Sequence, residues 1–392
     1  MFKAFNLGEV CSIESGSREK GGASTFGIPS IGGEQISSAG YILTEKMKYI
    51  TEEHFKKMKQ GILKPGDILL VKDGATTGKC AFYKNEYKEA AVNEHVFILR
   101  ANNLILPRLL YYVISSDKFQ SKIKSSIKGI IGGINLSIKN LEISIPDTLE
   151  EQQDIVQVLD TMSDIIRLRE ECISHAQALI PALFQEMFNP YANYTKTALN
   201  NLFEFKSGGT PSKQVEEYFQ GDIPWITTVA LNKLFIGKED ANELITEEAI
   251  QKSATKLIPA NSLLFGTRVG IGKLAINTVP MCTNQDIVAM IPFENNNLNL
   301  IYVYWYLKQI NNFFVANGRG ATIQGITTHL VKSTEIIHPP LNVQDQFAEK
   351  VKEINSYIQE QEEELENAKQ MFQSLLHHAF TGKLTAKKYG GN

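Results

Sequence analysis

Residues 155–187 read IVQVLDTMSDIIRLREECISHAQALIPALFQEM, and the apolar side chains in this stretch recur at alternating steps of four and three residues. The same pattern returns 192 residues later, over residues 347–379. Each copy is interrupted once by a polar residue, Arg169 in the first and Gln361 in the second, and these two residues are also 192 apart. Alternating steps of four and three are typical of helices that pair through one apolar seam. The pattern predicts two long helices, each a rod of roughly 50 Å, and the simplest partner for one is the other, antiparallel.

The positions predicted to pair are apolar except for the two interruptions. In the first helix they are Ile155, Leu159, Met162, Ile166, Arg169 and Ile173, and in the second they are Phe347, Val351, Ile354, Ile358, Gln361 and Leu365. A lone polar residue in such a seam can set the register of the paired helices. We therefore expect Arg169 and Gln361 to set the register.

The segments that precede the two helices also correspond to each other. Gly78-Lys79 matches Gly272-Lys273, and Asn93-Glu94 matches Asn284-Gln285, at offsets that drift only slightly. This internal repeat predicts an α+β fold with pseudo-twofold symmetry, in which two similar β-rich domains are separated by two long antiparallel coiled-coil helices. The predicted segments are a first domain (1–146), a central helix (147–188), a second domain (189–341), a C-terminal helix (342–384) and a tail (385–392).

Short apolar runs predict the local elements of each domain. Strands are expected at residues 68–71, 96–99, 262–265 and 287–290, and amphipathic helices at 107–124 and 299–315.

Composition indicates an ordinary soluble protein. The 392 residues are 43% hydrophobic and 21% charged, with no apolar run long enough to span a bilayer and no signal-peptide pattern at the N-terminus. The four cysteines are scattered, which favours reduced thiols and argues against a zinc site. We expect a cytoplasmic protein without a membrane partner.

Charge is distributed unevenly along the chain. The net charge is −3, yet both predicted helices are strongly acidic, so the remaining segments carry a net positive charge. Basic globular parts suit a protein that meets a polyanion. The alternative is that exposed helix faces are simply acidic.

A glycine-rich loop follows the first predicted strand and allows three interpretations. It reads Gly74-Ala-Thr-Thr-Gly-Lys-Cys80, and its second copy covers residues 266–274. A nucleotide-binding P-loop needs four residues between the glycines and a hydroxyl after the lysine, and neither copy has them. The loop is then either a tight turn within the fold or a segment that presents lysine, arginine and hydroxyl groups to DNA.

No catalytic or metal-binding group stands out. Asn189-Pro190-Tyr191 lacks the second proline of the adenine-methyltransferase motif, and no glycine-rich cofactor loop accompanies it. Asp67 has no acidic partner at a nuclease-like spacing, and the histidines show no convergent pattern. The sequence therefore predicts a chain without a catalytic site or a metal site.

The most distinctive strings lie in the second half. They are KSGGTPSK (206–213) and GDIPWI (221–226), and the long helices begin after Ile145-Pro146 with EEQQ (150–153) and after Pro339-Pro340-Leu341 with QDQ (344–346). In these strings the chain resembles the specificity subunits of type I restriction–modification enzymes. The resemblance covers essentially the whole chain, in the family's order. It departs at Gly16-Ser17-Arg18, which lacks the Thr-Pro-Ser of the second half.

The resemblance implies a non-catalytic reader of a bipartite site in double-stranded DNA, with one domain for each half-site. It further implies two modification (methyltransferase) subunits and restriction (motor-nuclease) subunits as partners. These partners would carry S-adenosylmethionine, ATP and Mg²⁺, while this chain would bind no cofactor. Half-sites are expected about one helical turn, ~34–36 Å, apart. The alternatives are a stand-alone DNA methyltransferase or nuclease with an unrecognised site, and a coiled-coil scaffold that does not bind DNA.

Nine side chains are predicted to face DNA on the basis of their charge or hydroxyl groups. They are Lys72, Thr76, Thr77, Lys79, Lys206, Lys213, Arg268, Lys273 and Arg319.

Overall fold

A computed structural model describes residues 2–22, 24–126, 133–191, 193–294, 297–320 and 324–380. The chain forms two compact units. The first unit comprises Met1–Glu170 and Glu363–Asn392, and the second comprises Glu171–Glu362. Each unit contains a β-rich lobe together with one part of each long helix. No helix in the described part of the chain is long and apolar enough to cross a membrane.

The first lobe is built from short strands and helices. Its strands are β1 (Phe2–Asn6), β2 (Cys11–Ser15), β3 (Ile28–Ile31), β4 (Lys48–Ile50), β5 (Ile68–Val71), β6 (Cys80–Phe82), β7 (Ala91–Val92), β8 (Val96–Ala101) and β9 (Glu142–Pro146). Its helices are α1 (Leu7–Val10), α2 (Glu52–Lys57), α3 (Pro107–Ser115) and α4 (Asp117–Ser126), and the long helix α5 (Leu149–Phe188) follows. The strands pair in the orders β2-β8-β5-β6, β4-β3-β7 and β1-β9.

The second lobe repeats this plan. Its strands are β10 (Lys196–Ala198), β11 (Phe203–Ser207), β12 (Ile223–Ile226), β13 (Phe235–Ile236), β14 (Glu243–Ile245), β15 (Leu263–Gly266), β16 (Leu274–Asn277), β17 (Cys282–Thr283), β18 (Ile287–Pro292) and β19 (Glu335–Ile337). Its helices are α6 (Glu247–Gln251), α7 (Leu300–Gln309), α8 (Asn311–Ala316) and α9 (Thr328–Ser333), and the long helix α10 (Leu341–Ala379) follows. The strand orders β11-β18-β15-β16-β13, β14-β12-β17 and β10-β19 match those of the first lobe, with β13 added at one edge.

Strand β5 shows why the central strands are apolar at every position. Ile68 and Leu70 pack into the core that contains α3, α4 and α5, whereas Leu69 and Val71 pack into a second core under the three-stranded sheet. Successive side chains of a strand point to opposite faces, so a sheet covered on both faces needs apolar residues throughout. The four predicted strands are present as β5, β8, β15 and β18, and β15 begins one residue later than predicted.

The two predicted amphipathic helices are each divided in two, so the single-helix prediction was wrong. The first breaks at Ser116, whose backbone is extended and whose hydroxyl accepts a hydrogen bond from the Phe119 N–H. The second breaks at Ile310, between α7 and α8. Serine competes for backbone hydrogen bonds in this way and therefore favours helix ends over helix interiors.

The two long helices pack together antiparallel, as predicted. In the first unit, Ile155 and Leu159 near the start of α5 share a core with Leu375 and Ala379 at the end of α10. In the second unit the relation is reversed, and Phe184 near the end of α5 stacks edge-to-face on Phe347 near the start of α10, at 5.5 Å between ring centroids. The predicted residues 381–384 of the second helix and the tail 385–392 lie outside the described residues.

The predicted seam positions differ in how deeply they are covered. Buried positions are Ile155, Leu159, Ile173, Phe347, Val351 and Ile358, and half-buried positions are Met162, Ile166, Arg169, Ile354, Gln361 and Leu365. In the first unit Arg169 of α5 forms an ion pair with Glu364 of α10, and Lys369 of α10 pairs with Glu170 at 2.9 Å. The role of Arg169 and Gln361 in setting the register stays a prediction.

A buried glutamine ties the start of each long helix to its lobe. The Gln152 amide donates to the Leu104 and Pro146 carbonyls, at 2.9 and 3.0 Å, and accepts from the Leu106 N–H at 2.9 Å. Its equivalent Gln344 does the same 192 residues later. It donates to the Asn297 carbonyl at 3.3 Å and to the Pro339 carbonyl at 2.7 Å, and it accepts from the Asn299 N–H at 2.9 Å. Both side chains are fully buried, so each amide replaces water for three backbone groups.

We expect Gln152→Ala to lower the free energy of unfolding of the first unit by about 1–3 kcal/mol, because buried backbone groups lose their partners. Urea denaturation followed by circular dichroism measures this loss. The neighbouring Gln153 is exposed, so Gln153→Ala is the matched control and should change stability by no more than about 0.5 kcal/mol. Equal losses in the two variants would contradict the assigned role of Gln152.

Candidate nucleic-acid interface

The glycine-rich loop of the first lobe is a turn between antiparallel strands β5 and β6. Gly74 and Gly78 have φ of +89° and +95°, a left-handed conformation that favours glycine. The Gly78 N–H donates to the Val71 carbonyl at 2.9 Å, and the Thr77 hydroxyl donates to the Gly74 carbonyl at 2.7 Å. A P-loop leads from a strand into a helix, whereas this loop leads into strand β6. The geometry therefore favours the turn over nucleotide binding.

The second lobe has the same turn between β15 and β16. Gly270 and Gly272 have φ of +78° and +77°, and the Gly272 N–H donates to the Gly266 carbonyl at 2.9 Å. Strand β16 begins directly afterwards, at Leu274. The turn exposes Arg268 and Lys273 to solvent.

Three segments meet at this turn in each lobe, and we call each meeting point a loop frame. The first frame consists of residues 72–79, residues 93–95 and Ile134. Its backbone is held by bonds from the Lys72 N–H to the His95 carbonyl (2.9 Å) and from the Ile134 N–H to the Lys72 carbonyl (2.6 Å).

The second frame consists of residues 267–273, residues 284–286 and Ile326. The Thr267 N–H donates to the Asp286 carbonyl, and the Ile326 N–H donates to the Thr267 carbonyl, both at 2.8 Å. These bonds repeat those of the first frame, so Lys72 corresponds to Thr267 and His95 corresponds to Asp286.

Residues 206–213 and 221–226 of the second lobe also hold this frame in place. The Trp225 indole N–H donates to the Gly209 carbonyl at 3.0 Å, and a Cβ on Gly209 would lie 2.5 Å from the Ala254 carbonyl carbon. A Cβ on Gly208 would lie 2.1 Å from the Asn284 carbonyl oxygen. Glycine is therefore required at both positions, because another backbone segment lies too close for a side chain. The two glycines allow the segment that leads to Thr210 to pack against the frame.

In the first lobe, the predicted DNA-facing residues lie around the turn but are not equally available. Lys72 donates to the Ser15 hydroxyl at 3.1 Å and lies over the Phe97 ring at 5.2 Å, so its ammonium group is directed towards the lobe. Thr76, Thr77 and Lys79 are half-buried. Their contact with DNA stays a prediction.

In the second lobe, the predicted residues fall into two groups. Arg268 and Lys273 lie on the turn itself. Arg319 lies beside the turn, because its backbone pairs with Gly325, where an added Cβ would lie 3.1 Å from the Arg268 Cγ. Lys206 on β11 and Lys213 lie elsewhere, and Lys206 pairs with Glu204 at 3.6 Å.

Lys213 is engaged by its own lobe. Its ammonium group forms an ion pair with Glu243 and lies over the rings of Phe219 and Trp225, at 4.4 and 5.4 Å from their centroids. The sequence could not show this pairing, because Lys213 and Glu243 are thirty residues apart.

Sequence reasoning missed side chains that flank the two turns. Asp73 contacts His95 at 2.5 Å, and Arg18 pairs with Glu94 at 3.7 Å in the first lobe. In the second lobe Arg268 pairs with Asp286 at 3.8 Å. The sequence signal for these side chains was the repeated pair Asn93-Glu94 and Asn284-Gln285. Each asparagine side chain accepts a hydrogen bond from the N–H two residues later, which belongs to His95 in the first lobe and to Asp286 in the second.

Among the described residues, no group of three or more His, Cys, Asp or Glu side chains is placed to hold a metal ion. Burial raises the pKa of Cys11 and Cys80 to about 12 and that of Cys282 to about 11, so these thiols are poor nucleophiles. The fold and the two frames thus define a class: a duplicated α+β protein whose lobes present loop frames and whose long helices pair.

Comparison with known proteins identifies the family. Residues 1–176 and 191–368 match the type I restriction modification DNA specificity domain. These two matches cover most of the chain, so it belongs to the type I restriction modification DNA specificity domain family.

Individual relatives agree with this assignment. The chain is 29% identical over 231 residues to the EcoR124I/EcoR124II specificity subunit of Escherichia coli, with 55% of each chain covered. It is 24% identical over 401 residues to the putative MjaX specificity subunit of Methanocaldococcus jannaschii, with 96% of this chain and 91% of the relative covered. The chain thus spans about half the length of the first relative and nearly all of the second.

A solved structure shares the fold. A chain from a structure concerned with complex assembly and conformational transition of the type I R-M system aligns with a TM-score of 0.63, at 18% identity, covering 98% of each chain.

Proposed function

We propose that this chain is the DNA-specificity subunit of a type I restriction–modification complex and reads a bipartite site in double-stranded DNA, one half-site with each lobe. The observation that carries the proposal is the repeated loop frame, the same backbone scaffold built once in each lobe. Loops held by a rigid scaffold are well suited to contact base edges and phosphates. Membership of the specificity family supports the same conclusion.

The proposed division of labour leaves catalysis to partners. The chain itself would be non-catalytic, and two modification subunits would methylate adenine with S-adenosylmethionine. Restriction subunits would join with ATP and Mg²⁺. The paired helices are the proposed attachment site for the modification subunits, as the family resemblance implies. A buried glutamine ties each lobe to these helices.

Sequencing of methylated adenines tests this function. The chain is co-expressed with the modification subunits of its own genome in a host that lacks other adenine methylation. We expect methylation at one motif made of two words with a fixed gap. Methylation at a single uninterrupted word, or salt-insensitive DNA binding with no methylation, would contradict the proposal.

Replacing Lys273, which is exposed, and replacing Lys213, which is paired with Glu243, should change DNA binding to different extents. We expect Lys273→Ala to reduce the salt dependence of DNA binding by about one unit of slope, as for one lost phosphate contact. Lys213→Ala should change the slope less, because Glu243 already neutralises this lysine. Fluorescence titration of the assembled complex with a duplex carrying its site, at several KCl concentrations, measures both slopes. Equal reductions would show that Lys213 leaves Glu243 to contact DNA.

A further inference from the structure

The backbone of the two frames is the same, but their side chains are different. In the first frame Asp73 faces His95, with 2.5 Å between the carboxylate and Nδ1. At the equivalent places in the second frame Arg268 faces Asp286, at 3.8 Å. The residue on the turn is thus acidic in one lobe and basic in the other. Its partner is the basic His95 in the first lobe and the acidic Asp286 in the second. Both lobes therefore keep a side-chain pair at this place, but the acidic and basic members exchange positions.

The side chains also differ at a second pair of equivalent positions, where an ion pair in the first lobe is replaced by a neutral hydrogen bond in the second. Gly16 follows strand β2, and Gly208 follows strand β11. Their N–H groups make equivalent hydrogen bonds, to the Val96 carbonyl at 3.3 Å and to the Ile287 carbonyl at 3.2 Å. Two residues later, Arg18 pairs with Glu94 in the first lobe. The equivalent Thr210 hydroxyl bonds the Gln285 amide oxygen at 2.5 Å in the second lobe.

These differences lie on accessible side chains. Arg18 is 75% exposed and Arg268 is 55% exposed, whereas Asp286 is only 15% exposed. At 3.8 Å, beyond hydrogen-bond distance, the largely covered Asp286 carboxylate attracts the Arg268 guanidinium towards one direction. The arrangement suits a base-reading arginine, because a bidentate contact requires the planar group to approach the base in one orientation.

We infer that these equivalent positions are the specificity-determining residues of the two lobes, and that their different charges and hydrogen-bonding groups make the two half-sites different words. The first set is Arg18, Asp73, Glu94 and His95, and the second set is Thr210, Arg268, Gln285 and Asp286. The inference rests on the proposed function and deepens it. Arg268 matches the two acceptors of guanine in the major groove, and the Asp73 carboxylate accepts a hydrogen bond from the amino group of cytosine or adenine.

The test uses the assembled methyltransferase complex and the methylated-adenine motif as its readout. In Arg268→Gln the bidentate guanine contact is lost, and glutamine matches adenine instead. We expect preference for one G·C pair of the second half-site to fall by about 5- to 150-fold, with the first half-site unchanged. Asp73→Asn should change one position of the first half-site and leave the second unchanged.

Two further variants make the result decisive. Arg268→Lys keeps the charge but not the planar fork, so it should relax the same base pair. Lys238→Gln removes an exposed charge of the second lobe outside the frame, and it should leave the motif as it is.

The outcomes separate the inference from the proposed function. An unchanged motif in Arg268→Gln and Asp73→Asn overturns the inference while the function stands. Uniform loss of methylation at all sites, in a variant that melts like the parent chain, also overturns it, because a phosphate contact weakens every sequence alike. Failure of the parent complex to methylate a two-word motif would instead refute the proposed function.

Discussion

Replacing Arg100 with methionine is expected to destabilise the first unit by about 3–5 kcal/mol, because it leaves a buried carboxylate without its ionic partner. The guanidinium of Arg100 contacts both carboxylate oxygens of Asp67 at 2.8 Å, Glu14 at 2.9 Å and the Ile62 carbonyl at 3.1 Å. Asp67 is only 1% exposed. Its hydrogen bonds raise the pKa of Arg100 above the ordinary value. Chemical denaturation monitored by circular dichroism measures the loss.

Two variants control this result. Arg18→Met removes an arginine whose ion pair with Glu94 is exposed, and its effect should stay within about 0.5 kcal/mol. The double variant Arg100→Met/Asp67→Asn should be less unstable than the sum of its single changes, because the uncompensated charge is then absent. Additive losses would indicate that Arg100 stabilises the lobe by packing instead.

The second large effect is expected at the helix pair. Phe347 of α10 is fully buried and packs edge-to-face on Phe184 and Phe188 of α5, with ring centroids 5.5 and 5.3 Å apart. Phe347→Ala should cost the second unit about 3–5 kcal/mol, since it removes a large side chain and leaves a cavity. Thermal and urea unfolding, followed by the far-ultraviolet signal of the helices, measure this change.

Tyr357→Ala is the matched control on the same helix. Tyr357 is 46% exposed, so its truncation should change stability by about 1 kcal/mol or less. Phe347→Leu, which keeps most of the apolar contact, should lie between the two. A loss at Tyr357 as large as that at Phe347 would show that the seam does not lie where the heptads put it.

The heptads predicted the helix pair because the seam depends on local spacing alone. Ile155 and Phe347 occupy matched positions 192 residues apart, and both are buried against the partner helix. The repeat likewise predicted two similar lobes, and the matched bonds of Gln152 and Gln344 show how closely the scaffolds agree. The sequence was less informative about where helices end, since Ser116 interrupts a helix that its apolar pattern would continue.

By itself, then, the sequence determined the duplication, the paired helices and the apolar central strands, because each depends on periodicity or on residues close together in the chain. Only the tertiary structure decided which side chains meet at the frames. Asp73 and His95 are 22 residues apart, and Lys213 and Glu243 are 30 apart. Such pairs form only after strands distant in sequence have aligned in a sheet, and no local pattern encodes that alignment.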